Sequence, residues 1–599
     1  EDHIDMMPLY WAQRCRDAVT DIDTLKGILA TLPAVAIRRG TEVFKAVYGK
    51  SLVEDIKEKG DEQSSWFSFS NYFKTALVSL LDLPVERYVK GLNAAMKGLG
   101  TDEYTLTSLV MTMPPNLYDD IHKLYHEMYG RTLIDHIESE TSFSYKKALV
   151  YQALSWPQSR AKALNSAMVG LGTTEKQLIR VICLSTQKER IRIREAYQEM
   201  YDRDLIEHIE SETSGSFKNI LVAILESDHR QDEFDYENDA DTLKEAMDGL
   251  GTDEDAIIRI VAGKTPEQIQ ELMRVFEEKH GESLFKRMDD ETWDWGMSIF
   301  VGGDFRDTMM LLLRPPMERL AYSVRDCIVG WGSDNTGLVT CLVHLSERQK
   351  QELVETYARI PKGGDLFKAI KADTSGDFET ALLAMVKPTA QVWAEAIVRC
   401  MKGLGTSDGL LISWMSLCKG RMDEVREAVL NLPEAGGKSL AEWIKGDCSG
   451  DYADLLVRVA ERECYKFAGV EAGLTIQAPP SREEAVLRFN RTFNRLCRQK
   501  HADPYTELVP NEEAQQEMGC VFLYFVGESS CNPDLDRNGL WELTNACGFP
   551  PADDGPDLTA TFEEWDYSGT GQITWNDFVR EMAVRINDPN HFEAPPLPE

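Results

Sequence analysis

The octapeptide MKGLGTDE begins at Met96 and returns in four closely related forms along the 599-residue chain. The other copies are MVGLGTTE from Met168, MDGLGTDE from Met247, IVGWGSDN from Ile328 and MKGLGTSD from Met401. Their first glycines are separated by 72, 79, 81 and 73 residues. Such periods are longer than those of the common short helical repeats, and they indicate small helical subdomains.

The sequence between the glycine copies repeats as well. LIDHIESETS follows Gly100 by 33 residues, LIEHIESETS follows Gly172 by the same number, and LFKRMDDETW follows Gly251 in register. Apolar residues recur at helical spacing, and the alternation typical of strands is nearly absent. We therefore predict an all-α protein, an array of repeats with about five helices each.

A sixth, degenerate copy precedes the others, because DIDTLKGILATLP from Asp21 aligns with DEYTLTSLVMTMP from Asp102. It has Asp17 and Val19 where the glycines would be, and Lys59 where Glu140 would be. The predicted segments are, in order, the degenerate first segment 1–81, then 82–154, 155–225, a polar acidic connector 226–240, 241–313, 314–386, 387–465, a linker 466–480 containing Gly and Pro, and a helical EF-hand-like region 481–599.

The charge and cysteine content exclude several classes of protein. With 100 acidic and 65 basic side chains, the net charge of -35 argues against nucleic-acid binding, which needs clustered Lys and Arg. The 12 cysteines form no CxxC pair, which favours reduced thiols in the cytoplasm. No apolar run reaches the roughly 18 to 20 residues that span a bilayer, and no secretory signal opens the chain. No nucleophile motif supports an enzyme. The chain begins with Glu, so an upstream segment can be missing.

An acidic residue recurs at a fixed distance from the glycines. It stands forty residues after the second glycine as Glu140, Glu212 and Glu291, and small insertions move it to Asp373 and Asp447 in the last two segments. Glycine permits backbone dihedrals that let carbonyl oxygens converge, and calcium prefers 6 to 8 oxygen ligands in a flexible loop. A tight turn with helix-capping acids is the alternative for any single copy. Five coupled occurrences, with joint loss in the sixth, favour calcium.

These repeats resemble annexin repeats, whose signature is GxGT in the first loop with an acid about forty positions on. The resemblance covers about 465 of the 599 residues. It implies a right-handed five-helix bundle per repeat, a curved disc, and calcium sites on the convex face that bridge to anionic phospholipid headgroups. Annexins usually carry four or eight repeats, so a chain with six departs from the family, and 82–386 corresponds best to a tetrad.

The resemblance also implies a ligand set, made of loop carbonyls and the distant acid. By segment it comprises Met96, Gly98, Gly100 and Glu140; Met168, Gly170, Gly172 and Glu212; Met247, Gly249, Gly251 and Glu291; Ile328, Gly330, Gly332 and Asp373; and Met401, Gly403, Gly405 and Asp447. The last two sets depart from the family, because Asp replaces Glu and glycine pairs are inserted at 363–364 and 436–437.

Near the end of the chain, DYSGTGQITWND fits a 12-residue EF-hand loop. Its predicted calcium ligands are Asp566, Ser568, Thr570, the Gln572 carbonyl and Asp577. Position 12 is Asp rather than Glu, so weak affinity is expected, and a helix–turn–helix without calcium is the alternative. DLDRNGLWE from Asp534 is the natural partner loop, with a structural role.

Two functions follow from these patterns. The leading one is calcium-dependent binding to anionic phospholipid membranes, with the EF-hand-like module regulating the protein or docking a partner. The alternative is a giardin-like structural protein, associated with the cytoskeleton, that uses the repeat array as an interaction surface. Both place the protein in the cytoplasm, peripheral to a membrane or to the cytoskeleton.

Overall fold

A computed structural model describes most of the repeat array. The residues described are 22–31, 41, 44–62, 71–98, 100–170, 172–227, 235–248, 252–291, 303–329, 334–403 and 405–461, together with 486, 489–493, 495, 543, 578 and 582. Within these ranges the regular structure is helical and contains no strand, which confirms the all-α prediction. The same residues include no helix long and apolar enough to cross a membrane.

In the described residues, each of the five segments from 82 to 465 contributes five α-helices. The first segment contributes α1 (Ile22–Thr31), α2 (Leu52–Glu62) and α3 (Asn71–Leu81). The second contains α4 (Pro84–Met96), α5 (Glu103–Met111), α6 (Tyr118–Tyr129), α7 (Leu133–Glu140) and α8 (Phe143–Ala153). The third contains α9 (Trp156–Met168), α10 (Glu175–Leu184), α11 (Gln187–Tyr201), α12 (Leu205–Glu212) and α13 (Gly215–Glu226).

The remaining segments repeat this order. The fourth contains α14 (Tyr236–Asp248), α15 (Glu254–Val261), α16 (Pro266–His280), α17 (Leu284–Glu291) and α18 (Gly303–Leu312). The fifth contains α19 (Pro316–Ile328), α20 (Asn335–Leu342), α21 (Glu347–Arg359), α22 (Leu366–Asp373) and α23 (Gly376–Val386). The sixth contains α24 (Thr389–Met401), α25 (Asp408–Leu417), α26 (Met422–Asn431), α27 (Leu440–Asp447) and α28 (Gly450–Ala460).

Capping boxes fix where the third helix of several segments begins. Thr186, Thr265 and Ser346 are the N-caps of α11, α16 and α21, and each exchanges hydrogen bonds with the Glu or Gln three residues on. This reciprocal pair satisfies two backbone amides that the first helical turn leaves without a partner. The start of the helix is thus encoded locally, before any tertiary packing.

The described residues divide into two compact units. The central unit comprises residues 91–389, and the terminal unit combines residues 1–90 with 390–599. In the central unit the second segment packs against the fifth, through contacts of α5 and α8 with α23 and of α8 with α20. The third segment packs against the fourth in the same unit, where α10 and α13 contact α18. Segments that are distant in sequence are therefore neighbours.

The terminal unit also pairs segments that are distant in sequence. In it α1 contacts α28, and α3 contacts both α25 and α28, so the first segment packs against the sixth. An ion pair accompanies this packing, since the Lys26 Nζ lies 3.0 Å from an Asp451 carboxylate oxygen. The first segment lacks the glycine loop, but it retains buried apolar positions such as Leu25, Leu29 and Leu77.

The predicted connector is partly helical. Residues 226–240 are the predicted polar, acidic connector, and α14 begins within them, at Tyr236. Asp235 explains the earlier start, because its carboxylate accepts a hydrogen bond of 3.0 Å from the Asn238 amide, as an N-cap does. The linker 466–480 and both EF-hand-like loops, including Asp566, Ser568, Thr570, Gln572 and Asp577, lie outside the described residues.

Candidate metal centre

The glycine loop of a segment runs from two residues before its first glycine to the Thr or Ser after its second glycine, such as 96–101. In three segments both glycines of the loop are described, and all six have a positive φ angle. The angles are 125° and 99° at Gly98 and Gly100, 127° and 86° at Gly170 and Gly172, and 121° and 94° at Gly403 and Gly405. Residues other than glycine rarely adopt a positive φ angle. A Cβ added at Gly98 or Gly100 would meet nothing within 4 Å, so the dihedral, not crowding, requires glycine.

One hydrogen bond closes the loop region in all five glycine-containing segments. The amide of the residue that precedes the second helix donates to the carbonyl seven residues back. The pairs are Asp102 to Ala95 at 2.8 Å, Thr174 to Ala167 at 2.9 Å, Asp253 to Ala246 at 3.0 Å, Asp334 to Cys327 at 3.1 Å and Ser407 to Cys400 at 2.8 Å. The ends of the loop region therefore keep one geometry in all five segments, including the fifth, whose sequence has Trp331 in place of Leu.

The predicted acid is the last residue of the fourth helix in every glycine-containing segment. Helices α7, α12, α17, α22 and α27 end at Glu140, Glu212, Glu291, Asp373 and Asp447. An acid here faces the negative end of the helix dipole, where a basic residue would be favoured. The acids therefore do not stabilise their helices electrostatically, and they do not occupy N-cap positions. This disfavours the interpretation that they merely cap helices.

A threonine hydroxyl connects the glycine loop to the acid. The Thr101 Oγ1 donates to the Glu140 Oε2 at 3.3 Å, and the Thr406 Oγ1 donates to the Asp447 Oδ2 at 2.9 Å. In the third segment the Thr173 Oγ1 donates to the main-chain carbonyl of Glu212 at 3.2 Å. The fold thus brings together two elements that lie about forty residues apart in the sequence.

Sequence reasoning overlooked these threonines as part of the site. The signal was present, because Thr or Ser follows the second glycine in every copy, at Thr101, Thr173, Thr252, Ser333 and Thr406. A hydroxyl at this position holds the acid near the loop and leaves the other carboxylate lone pairs available.

The site contains few titratable groups. Within the described ranges there is no group of three or more His, Cys, Asp or Glu side chains that could hold a metal ion. Loop carbonyls with a single carboxylate are a different kind of donor set, which suits a hard cation such as calcium. Glu140, Glu212 and Asp447 are exposed, so solvent and ligands reach them. Gly249, Gly251, Gly330, Gly332 and the side chain of Glu291 lie outside the described residues.

Comparisons with known proteins point to one family. The annexin family model matches residues 87–151, 159–224, 238–312 and 319–385, so residues 87–385 hold four annexin repeats. Human annexin A4 is 34% identical over 309 residues, which cover 50% of this chain and 92% of that protein. Among solved structures, calcium-bound annexin (Sm)1 is 24% identical, with a TM-score of 0.44, and the match covers 51% of this chain and 90% of that one.

The calcium-bound structure of alpha-14 giardin is 20% identical, with a TM-score of 0.44, over 51% of this chain and 98% of that one. The family assignment rests on the sequence matches. The glycine loops, the helix order and the identity to annexin A4 over nearly its whole length agree, and this chain belongs to the annexin family.

Proposed function

We propose that this protein binds calcium through its glycine loops and, through that calcium, the anionic phospholipid headgroups of a membrane surface. The observation that carries the proposal is the hydrogen bond between the loop threonine and the distant acid, at 3.3 Å in the second segment and 2.9 Å in the sixth. In these two segments it supports a site in which the predicted carboxylate joins the glycine loop.

The charges of the site call for a cation. A carboxylate and the negative end of a helix lie at the same place, and each loop adds carbonyl oxygens as further donors. These donors are too few to fill a calcium shell of 6 to 8 oxygens, so coordination positions remain for water or phosphate. A chain with a net charge of -35 would otherwise be repelled by an anionic surface, and bound calcium offsets that repulsion locally.

The proposed ligands are the carbonyl oxygens of the loop and the acid at the end of the fourth helix. The second segment is the best supported, because its two glycines, its acid and the hydrogen bond from Thr101 to Glu140 are all described. The sixth segment has the same paired φ angles, the same closing hydrogen bond and the same threonine contact. We include it as a site and treat the first and sixth segments as additional repeats around the central four.

The C-terminal EF-hand-like region is proposed to act as a second, weaker calcium module that regulates the protein or docks a partner. Such a loop encloses its ion, so it offers little room for a lipid phosphate. Its contribution to membrane binding would therefore be indirect.

Co-sedimentation of the full chain with vesicles tests the main proposal. We expect the protein to pellet with phosphatidylserine vesicles at millimolar calcium. It should stay in the supernatant when a chelator is present, and also when the vesicles contain only phosphatidylcholine. A folded protein that fails to pellet with phosphatidylserine at millimolar calcium would contradict the proposal. Pelleting with microtubules or actin in chelator, without lipid, would favour the structural function instead.

A further inference from the structure

Phe143 is the most exposed large apolar residue among the described residues. Its relative exposure is 91%, and it lies three residues after Glu140, at the start of α8. A side chain this exposed gains almost nothing from packing. Its ring instead keeps a large apolar surface in water, which is unfavourable for the free protein.

The backbone at Phe143 is strained as well. Its φ angle is +51°, a region that bulky side chains rarely adopt. The equivalent positions in the third, fifth and sixth segments are Gly215, Gly376 and Gly450, with φ angles of 61°, 66° and 65°. Glycine is the residue that this turn favours. The second segment therefore carries two unfavourable features at one position, exposure and strain, and the fold gains nothing visible from either.

Two of the other four exposed large apolar side chains described in the central unit lie in the glycine loops. Val169 follows Met168 and is 63% exposed, and Val329 follows Ile328 and is 48% exposed. Phe143 borders the acid rather than the loop, but the Thr101 hydroxyl holds that acid at its loop. Three residues of chain span at most about 11 Å, so the Phe143 Cα lies within that distance of the Glu140 Cα, next to the proposed calcium site.

We propose that Phe143 is an apolar anchor that enters the bilayer interface when calcium at the Met96–Glu140 site docks the protein on phospholipid. This inference rests on the proposed function and adds a residue to it. A calcium ion bridged to a headgroup phosphate brings the surrounding turn to the depth of the headgroups. An exposed ring beside that ion then leaves water for the acyl boundary, while the positive φ keeps it projecting from the start of the helix. Of the four segments described at this position, only the second would make this contact, because the other three have glycine there.

The test compares the full-length wild type with Phe143→Gly, Phe143→Leu and the control Ile191→Ala. Ile191 is 49% exposed on α11 and belongs to no glycine loop. Affinity for phosphatidylserine vesicles is measured at saturating calcium, together with the surface-pressure rise in a phosphatidylserine monolayer. Phe143→Gly should weaken vesicle binding on the order of tenfold and lower the pressure rise. Phe143→Leu should retain most of both, and Ile191→Ala should match the wild type.

Thermal unfolding separates anchoring from folding. Phe143→Gly should keep or raise the unfolding temperature, because it relieves the positive φ. If the wild type binds vesicles and Phe143→Gly binds them with the same affinity, the anchor is overturned while the proposed function stands. Failure of the wild type to bind would overturn both. If Phe143→Gly instead abolished a self-associated species in the absence of lipid, the ring would belong to an interface between copies, and the anchor would be wrong.

Discussion

Gly405 and Gly409 lie four residues apart, and the same substitution at each should have opposite effects. Gly405 has a φ of +94°, whereas Gly409 lies in the first turn of α25, and a Cβ at either meets nothing within 4 Å. Gly405→Ala should therefore destabilise the protein by about 1 to 3 kcal/mol through backbone strain alone. Gly409→Ala should stabilise it by about 0.5 to 1 kcal/mol, because alanine favours the helix. Urea unfolding followed by helical circular dichroism measures both; equal effects would refute the account of the loop.

At the scale of single residues, the sequence predicts the glycines and the acid of each loop but not the threonine between them. Glycine spacing predicted a special backbone in the loop, and positive φ angles at Gly98 and Gly100 agree with it. The spacing of forty residues predicted the approach of Glu140. The Thr101 hydroxyl was missed, because a hydroxyl has many possible partners in sequence, and only the packing of α7 beside the loop selects Glu140 over its neighbours.

At the scale of single elements, the residue before the second helix offers a matched comparison. Asp102 is the N-cap of α5, and its carboxylate accepts hydrogen bonds from the Thr105 amide at 3.1 Å and hydroxyl at 2.7 Å. Thr174 is the N-cap of α10 with no side-chain capping bond. Asp102→Ala should cost about 1 kcal/mol, whereas Thr174→Ala should cost much less. Thermal unfolding of the two variants decides; similar losses would show that the cap is not what Asp102 provides.

His344 links two elements and should make stability depend on pH. Its Nε2 donates to the Tyr151 carbonyl at 3.0 Å, and its amide donates to the Gln152 side chain at 3.1 Å, both on α8. Burial, with a smaller effect from the Arg160 charge, lowers the pKa of His344 to about 3. Below pH ~6.5 the His344 imidazole is therefore protonated in the unfolded chain but stays neutral in the folded protein. The stabilisation is present above pH ~6.5 and is lost progressively as the pH falls towards 3.

The expected loss is about 2 kcal/mol between pH 7 and pH 5, as an order of magnitude. Urea unfolding of the wild type and His344→Gln at both pH values measures it. The variant should be less stable at pH 7, yet lose less on acidification, because the buried imidazole is gone. His136 and His208, whose pKa values burial also lowers, remain in both proteins and cancel in the comparison. Parallel pH profiles for the two proteins would contradict this assignment.

At the scale of the whole molecule, repeat similarity predicted the helices of each segment but not which segments pair. The first segment packs against the sixth in the terminal unit, and the second packs against the fifth in the central unit. The first segment stays a predicted degenerate repeat, and Leu25 and Leu77 in its described helices are buried. Its partner could not be recognised, because contacts between the two segments, such as Lys26 with Asp451 and Arg458 with Asp23, come from scattered residues that no sequence motif marks. The start of α14 inside the predicted connector has a local cause, the Asp235 cap within a polar stretch.

The central claim is that the acids at the ends of the fourth helices complete calcium sites that bind phospholipid. The measurement that tests it most directly is the calcium concentration for half-maximal binding to phosphatidylserine vesicles, in Glu140→Gln/Glu212→Gln and in the control Glu138→Gln/Glu210→Gln. Both variants lose two charges from α7 and α12. The account predicts a higher calcium requirement, on the order of tenfold, for the first variant at unchanged helix content. It predicts a requirement close to the wild type for the control; equal shifts in the two variants would contradict it.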